Sequence, residues 1–234
     1  MTSIDLLAIV AHPDDAEIGA GGTLLRHHQM GYTTGVVDLT KGELGTRGTA
    51  ETRASEAALA STKLGLSARE NLGLQDGFFV QDQESIRRII EAIRRYRPRV
   101  VITNSISDRH PDHGRAAKLV RDACFYSGLS KIETGQEAWR PAAVYHMIQD
   151  FYLKPDFVVD VSEYWERKIE VLKCYASQFF NPKSEEPETP ISGREFYGFL
   201  KSRAMDIGRP AGFLLAEGFI TDRPPGISDL LVLK

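Results

Sequence analysis

Short apolar runs rich in β-branched residues, LLAIV at 6–10, TGVVDL at 34–39 and VVIT at 100–103, recur along the chain with longer segments of helical apolar spacing between them. Runs of that length suit strands buried on both faces, and the intervening segments are long enough to serve as helical crossovers. The alternation predicts an α/β fold of Rossmann-like kind, a mostly parallel sheet with helices on both faces. Further strands are expected at 71–74, 143–147 and 157–161. Helices are expected at 21–30, 51–64 and 85–96, each stopped by an identifiable residue: Gly31, Gly65 and Pro98. A helix over 164–176 carries Trp165, Ile169, Leu172 and Ala176 at core spacing. The stretches 41–49, 127–141 and the Pro/Glu-rich 181–190 read as loops that face a ligand. A chain of 234 residues, 42% of them hydrophobic, is ordinary for one domain spanning 1–234.

A formal net charge of −3 supplies no positive field for nucleic acid or an anionic membrane, so a small-molecule partner is expected. The opening MTSIDLLAIVAHPDD has no basic segment leading into an apolar one, and Asp5 and Asp14 bound a run far too short to span a bilayer. A cytoplasmic protein is expected. The two cysteines, Cys124 and Cys174, lack CxxC partners and read as buried thiols, which leaves His and carboxylate to hold any metal.

Right-handed crossovers lay the first three strands outward in one direction and return the fourth to the other side of the first. In open α/β sheets the ligand crevice lies beyond the carboxyl ends of the strands at that reversal, so the active site is expected at the ends of strands one and four. The segments there are Ala11-His12-Pro13-Asp14-Asp15-Ala16-Glu17 and Asp108-Arg109-His110-Pro111-Asp112-His113-Gly114. Alone, each reads as a polar turn, with Asp14 or Asp15 capping the first helix and Asp112 capping one that begins near Gly114. Together they bring imidazoles and a carboxylate within reach of one ion. Three N/O ligands with an open position suit catalytic zinc, and the same set can bind Fe(II). The remaining carboxylates are then free to act as base and orienter.

His12-Pro13-Asp14-Asp15-x-Glu17-x-Gly19-x-Gly21-Gly22-Thr23 with His110-Pro111-Asp112-His113 resembles the PIG-L/LmbE-like family of zinc-dependent N-deacetylases. The likeness extends through Gly42-Glu43-x-Gly45-Thr46-x-Gly48, with Arg53 and Glu56 on the following helix. The tail, from Thr189-Pro190-Ile191-Ser192 to Ala216-Glu217-Gly218-Phe219, resembles the branch that deacetylates N-acetylglucosaminyl-malate in bacillithiol biosynthesis. The resemblance implies His12, Asp15 and His113 as zinc ligands and Asp14 as the general base toward the attacking water. It implies His110 as a second catalytic group, stabilising the oxyanion or protonating the amine, with Asp112 raising its proton affinity by charge pairing. Arg53 supports the pocket, Glu43 and Tyr197 are substrate-binding candidates, and Arg109 is a carboxylate anchor with Arg194 or Arg203 beside it. A homo-oligomer, a hexamer, is also implied.

Two other readings compete. Gly19-Ala20-Gly21-Gly22 opening a helix, with Asp38 closing the second strand, suggests a nucleotide-binding module, but GxGxxG is absent and Asp14, Asp15 and Glu17 would repel a pyrophosphate. The glycines are better placed where backbone passes close to a metal or a neighbouring helix. A scaffold with structural metal needs a fourth protein ligand. His146 reads as core, His27 and His28 as an exposed helix face, and the arginines at 87, 88, 94, 95 and 97 as a solvated face laced with Glu84 and Glu91.

Overall fold

The computed structural model describes residues 3–232. Five strands, β1 (Leu6–Val10), β2 (Thr34–Thr40), β3 (Ala68–Leu74), β4 (Val100–Thr103) and β5 (Ala143–Met147), run parallel. Two more, β6 (Phe157–Asp160) and β7 (Ala216–Thr221), complete a seven-stranded sheet among the described residues, ordered β3-β2-β1-β4-β5-β7-β6. β7 lies antiparallel to both of its neighbours. The order reverses between β1 and β4, as the crossover rule requires. Leu6 pairs with both Thr34 and Val100, so the strands leave the sheet in step, and the Ala11 N–H donates to Asn104 Oδ1 at 2.8 Å.

Alternation along the central strands sorts the core into two layers. Leu7, Ile9, Val37 and Leu39 face α3 (Gln83–Tyr96) and α4 (Pro111–Tyr126) through Ile89, Ile93, Leu119 and Val120. Leu6, Ala8, Val10 and Val36 face α1 (Asp15–Gln29), α2 (Ala50–Leu64), α5 (Trp165–Leu172) and α6 (Glu195–Gly208). Of the Arg run, Arg87 and Arg88 are solvated and paired with Glu91 and Glu84, one turn apart, but Arg94 is buried, because its guanidinium satisfies the carbonyls of Ser127, Leu129 and Ile132.

Four differences from the sequence reading have local causes. α1 begins at Asp15, not near residue 21, because tertiary contacts hold a first half containing Gly19, Gly21 and Gly22 that propensity disfavours. Its glycines serve packing against neighbouring elements: a Cβ on Gly22 would sit 2.7 Å from Val161 Cβ. β3 starts at Ala68, and the expected helix over 164–176 ends at Leu172. β7 and α6 were not anticipated.

A buried ion network ties α1 to β2 and β3. Arg69 forks onto Asp38 at 2.8 and 2.9 Å, reaches Glu17 Oε1 at 2.6 Å, and Tyr175 OH donates to the same Glu17 oxygen at 2.9 Å. Asp38 is thus fully engaged by a guanidinium and is not presented to a ribose.

Candidate active site

The loop after β1 turns into α1 through Asp14, whose φ of 114° and ψ of −24° are rare for a residue with a Cβ. Such a conformation costs about 1–3 kcal/mol and persists only where its surroundings dictate it. Here the Ile18 N–H donates to Asp14 O at 2.9 Å, and the His12 N–H donates to Asp15 Oδ2 at 3.0 Å. Across the crevice α4 starts at Pro111, with His110 as cap: its Nδ1 accepts from the Asp112 N–H at 3.3 Å.

Asp15 is the centre of the constellation. Its Oδ1 lies 3.0 Å from His113 Nε2 and its Oδ2 lies 3.4 Å from His12 Nδ1. Each imidazole rests its other nitrogen on carboxylate: His12 Nε2 on Asp76 (3.0 Å) and Asp112 (3.3 Å), His113 Nδ1 on Asp108 (2.5 Å). Two amides clamp Asp15 from behind, Asn104 Nδ2 donating to Oδ2 and Gln149 Nε2 to Oδ1, both at 3.0 Å. A carboxylate behind the outer nitrogen is the arrangement that fixes the tautomer of a metal-binding imidazole.

The electrostatics agree. Burial works against charge on His12, but its bonds to Asp112, Asp15 and Asp76 prevail and hold its pKa well above the usual value. Burial is likewise outweighed at His113, where Asp15 and Asp108 raise the pKa to about 9. Asp15, despite burial, is held well below the carboxylate range by the two imidazoles. So many buried carboxylates call for positive charge, which the protein alone supplies as the guanidiniums of Arg53 and Arg115 at the flanks and as protons on the two rings beside Asp15. Ring nitrogens of His12, His110 and His113 lie within 4.8 Å of one another, as do ligand atoms of His12, Asp76 and Asp112, so the cluster could hold a metal ion.

Asp14 stands beside this centre, almost completely buried, and burial raises its pKa to about 7 against the opposing pull of Arg53 at 2.9 Å. That value suits a base working near neutrality. Arg53 also donates to Pro13 O. Its guanidinium passes where a side chain on Gly42 would lie: Gly42 has φ 66°, and a Cβ there would meet Arg53 Cζ at 2.7 Å.

Several expected roles are corrected. Asp112 raises the proton affinity of His110 only as a minor influence that others outweigh; its Oδ2 contacts His12 and accepts from the Gly77 N–H, and its Oδ1 pairs with Arg115 at 2.6 Å. Burial first, then repulsion by His12 and His113, lowers the His110 pKa. Glu43 does not line the pocket; it accepts from the Asp76 and Lys41 N–H groups and so holds the loop that carries Asp76. Phe196, not Tyr197, faces the cavity, while Tyr197 packs beside Phe179 with its hydroxyl buried and unpartnered among the described residues. Arg109 does line the pocket, but its guanidinium is already paired with Asp150. Arg203 lines it too, whereas Arg194 stacks on Phe180.

The cavity above Asp14 and Asp15 encloses about 360 Å³, room for one sugar with a short substituent. Ile18, Ile191, Phe196 and Leu200 supply much of its apolar lining. Asp76, Asn104 and Gln149 lie outside the two motifs and carry no sequence signal of their own, and Asp108, though it opens the second motif, has no role that the motif discloses.

Comparison with known proteins agrees with this fold and site. Residues 7–124 match the PIG-L family, described as GlcNAc-PI de-N-acetylase, and the chain belongs to that family. Diacetylchitobiose deacetylase of Thermococcus kodakarensis is 29% identical over 91% of this chain and 81% of the relative. 4-Oxalmesaconate hydratase of Pseudomonas putida is 26% identical (74% and 73%), and a probable N-acetyl-alpha-D-glucosaminyl L-malate deacetylase of Bacillus anthracis is 27% identical (77% and 84%). Among solved structures, conserved protein TT1542 of Thermus thermophilus superposes with a TM-score of 0.88 at 35% identity, covering 97% of this chain and 98% of that one.

Proposed function

We propose that this chain is a zinc-dependent N-deacetylase that hydrolyses the acetamide of an N-acetylglucosaminyl conjugate, N-acetylglucosaminyl-malate first among them. The observation that carries the reading is Asp15 set between two imidazoles, each backed by carboxylate, with a strained and buried Asp14 alongside. The deacetylases among the relatives support the reaction, and the Bacillus relative supports the malate conjugate. His12, Asp15 and His113 are the metal-holding set we favour, because Asp76 and Asp112 sit behind His12 and already accept backbone N–H groups from Leu44 and Gly77. Zinc held there supplies Lewis-acid chemistry, polarising the amide carbonyl and acidifying a water.

The chain's own groups do the rest. Asp14 takes a proton from the attacking water as its oxygen bonds to the amide carbon. His110, neutral with its Nδ1 accepting a backbone N–H, has its Nε2–H free to donate to the developing oxyanion. The proton held by Asp14 then passes to the nitrogen as the C–N bond breaks, leaving acetate and a free amine. Arg53 keeps Asp14 aimed.

Product analysis tests the reading: zinc-loaded protein should release one acetate per amine from N-acetylglucosaminyl-malate, and from diacetylchitobiose more slowly. Hydration of an added unsaturated dicarboxylate with no acetate from either conjugate would overturn it in favour of the hydratase chemistry of the Pseudomonas relative.

A further inference from the structure

The pocket that Asp14 lines also carries Arg109, Arg203 and the carboxylate of Asp150. Asp150 pairs through its side chain with Arg109 Nε, and the exposed half of Arg109 projects toward solvent. Arg203, rising from α6, keeps only 12% of its side chain exposed. It donates one N–H to the backbone carbonyl of Asp150, lies over the Phe199 ring at 4.4 Å, and comes no nearer than 3.9 Å to the Asp150 carboxylate. The shared carboxylate is thus committed to Arg109. A guanidinium has five N–H donors in a fixed fork, and Arg203 is left with an under-compensated charge in a half-apolar wall. Burial, its largest influence, lowers its pKa, and Asp150 and Asp108 only partly oppose this. Arg53, by contrast, has a close carboxylate of its own in Asp14.

We propose that Arg203 is the specificity-determining residue of this pocket, reading an anionic group on the substituent carried by the amino sugar. The inference rests on the deacetylase reading and adds the charge class of the substrate and the residue that selects it. Arg109, already neutralised, contributes less, and Asp150 sets how much positive charge the wall presents. A substituent carboxylate and a sugar phosphate share the chemistry that a guanidinium fork accepts.

The test uses the full-length zinc-loaded protein, with kcat/KM measured on N-acetylglucosaminyl-malate, N-acetylglucosamine 1-phosphate and neutral diacetylchitobiose. Calorimetric Kd values for the three amine products are read in parallel, since binding does not depend on turnover. Arg203→Gln should lower the ratio of anionic to neutral kcat/KM about 10- to 100-fold, the range for losing a charge-assisted hydrogen bond, with the same trend in Kd. Arg109→Gln should lower that ratio less. Asp150→Asn, which frees both arginines, should raise it. Preference for the malate or the phosphate conjugate in the wild type identifies the anion. Equal losses on charged and neutral ligands in Arg203→Gln, or a falling ratio in Asp150→Asn, would mean that Arg203 only holds the Asp150 loop and would overturn the proposal. Charge-selective product binding without acetate release would refute the deacetylase reading and leave the anion site standing.

Discussion

Replacing Asp108 with Asn should weaken metal binding while leaving every ligand in place. Asp108 uses both oxygens: Oδ2 sits 2.5 Å from His113 Nδ1, and Oδ1 accepts the N–H groups of Arg109, Asp150 and Phe151 at 2.9, 2.9 and 3.0 Å. An asparagine has one acceptor oxygen, and three backbone donors will claim it. Its NH2 then faces His113 Nδ1, which must become the acceptor, and the ring proton moves to Nε2. That nitrogen is the one facing Asp15, so the ring can no longer ligate. Loss of an outer partner of this kind lowers metal affinity about 10- to 100-fold, or about 1.4–2.8 kcal/mol, and the tautomer inversion places Asp108→Asn toward the upper end. Zinc affinity by chelator competition checks the magnitude, and nitrogen chemical shifts of His113 check the tautomer. Wild-type zinc affinity in a variant whose His113 proton has moved to Nε2 would refute the reasoning.

Four further outcomes follow from the same structure. Gly22→Ala forces a Cβ to 2.7 Å from Val161 and 3.1 Å from Glu217 Oε1, and denaturant unfolding should show a loss of about 1–3 kcal/mol. Arg69→Ala strands Glu17 and Asp38 as unpaired buried carboxylates, costing about 3–5 kcal/mol by the same assay. Asp14→Asn should keep its zinc yet lose turnover by about two orders of magnitude or more. Because Asp14 works ionised and its pKa is raised to about 7, wild-type kcat/KM should fall as pH drops through about 7 or, with a cation bound alongside, through a lower value. An acid limb that persists unchanged in the residual activity of Asp14→Asn would assign it to another group.

The central strands and their order were legible because a buried parallel strand leaves a dense apolar run and the crossover rule fixes its neighbours. The convergence of the two His-Pro-Asp segments was legible for a related reason, since both follow strands that the topology brings together, while the choice of His12, Asp15 and His113 among their residues came from the family resemblance. Sequence adjacency suggested His110 as the main partner of Asp112, yet Asp112 is only a minor influence on that ring. The fold instead turns that carboxylate onto His12, a hundred residues away in sequence. β7 escaped notice because it carries the buried Glu217, whose carboxylate is balanced by Lys168 at 2.6 Å and by two backbone N–H groups of α1. Polar residues satisfied only across the fold leave no periodic trace in the chain.

The most direct test of the account is a zinc titration of chelator-stripped protein, with acetate release from an N-acetylglucosaminyl conjugate as the readout. Activity should be absent in the stripped protein and rise linearly to a plateau at about one zinc per chain, the stoichiometry of a three-ligand catalytic site, with no plateau in His113→Ala. Full acetate release from protein stripped of zinc, or an unchanged titration in His113→Ala, would contradict the account.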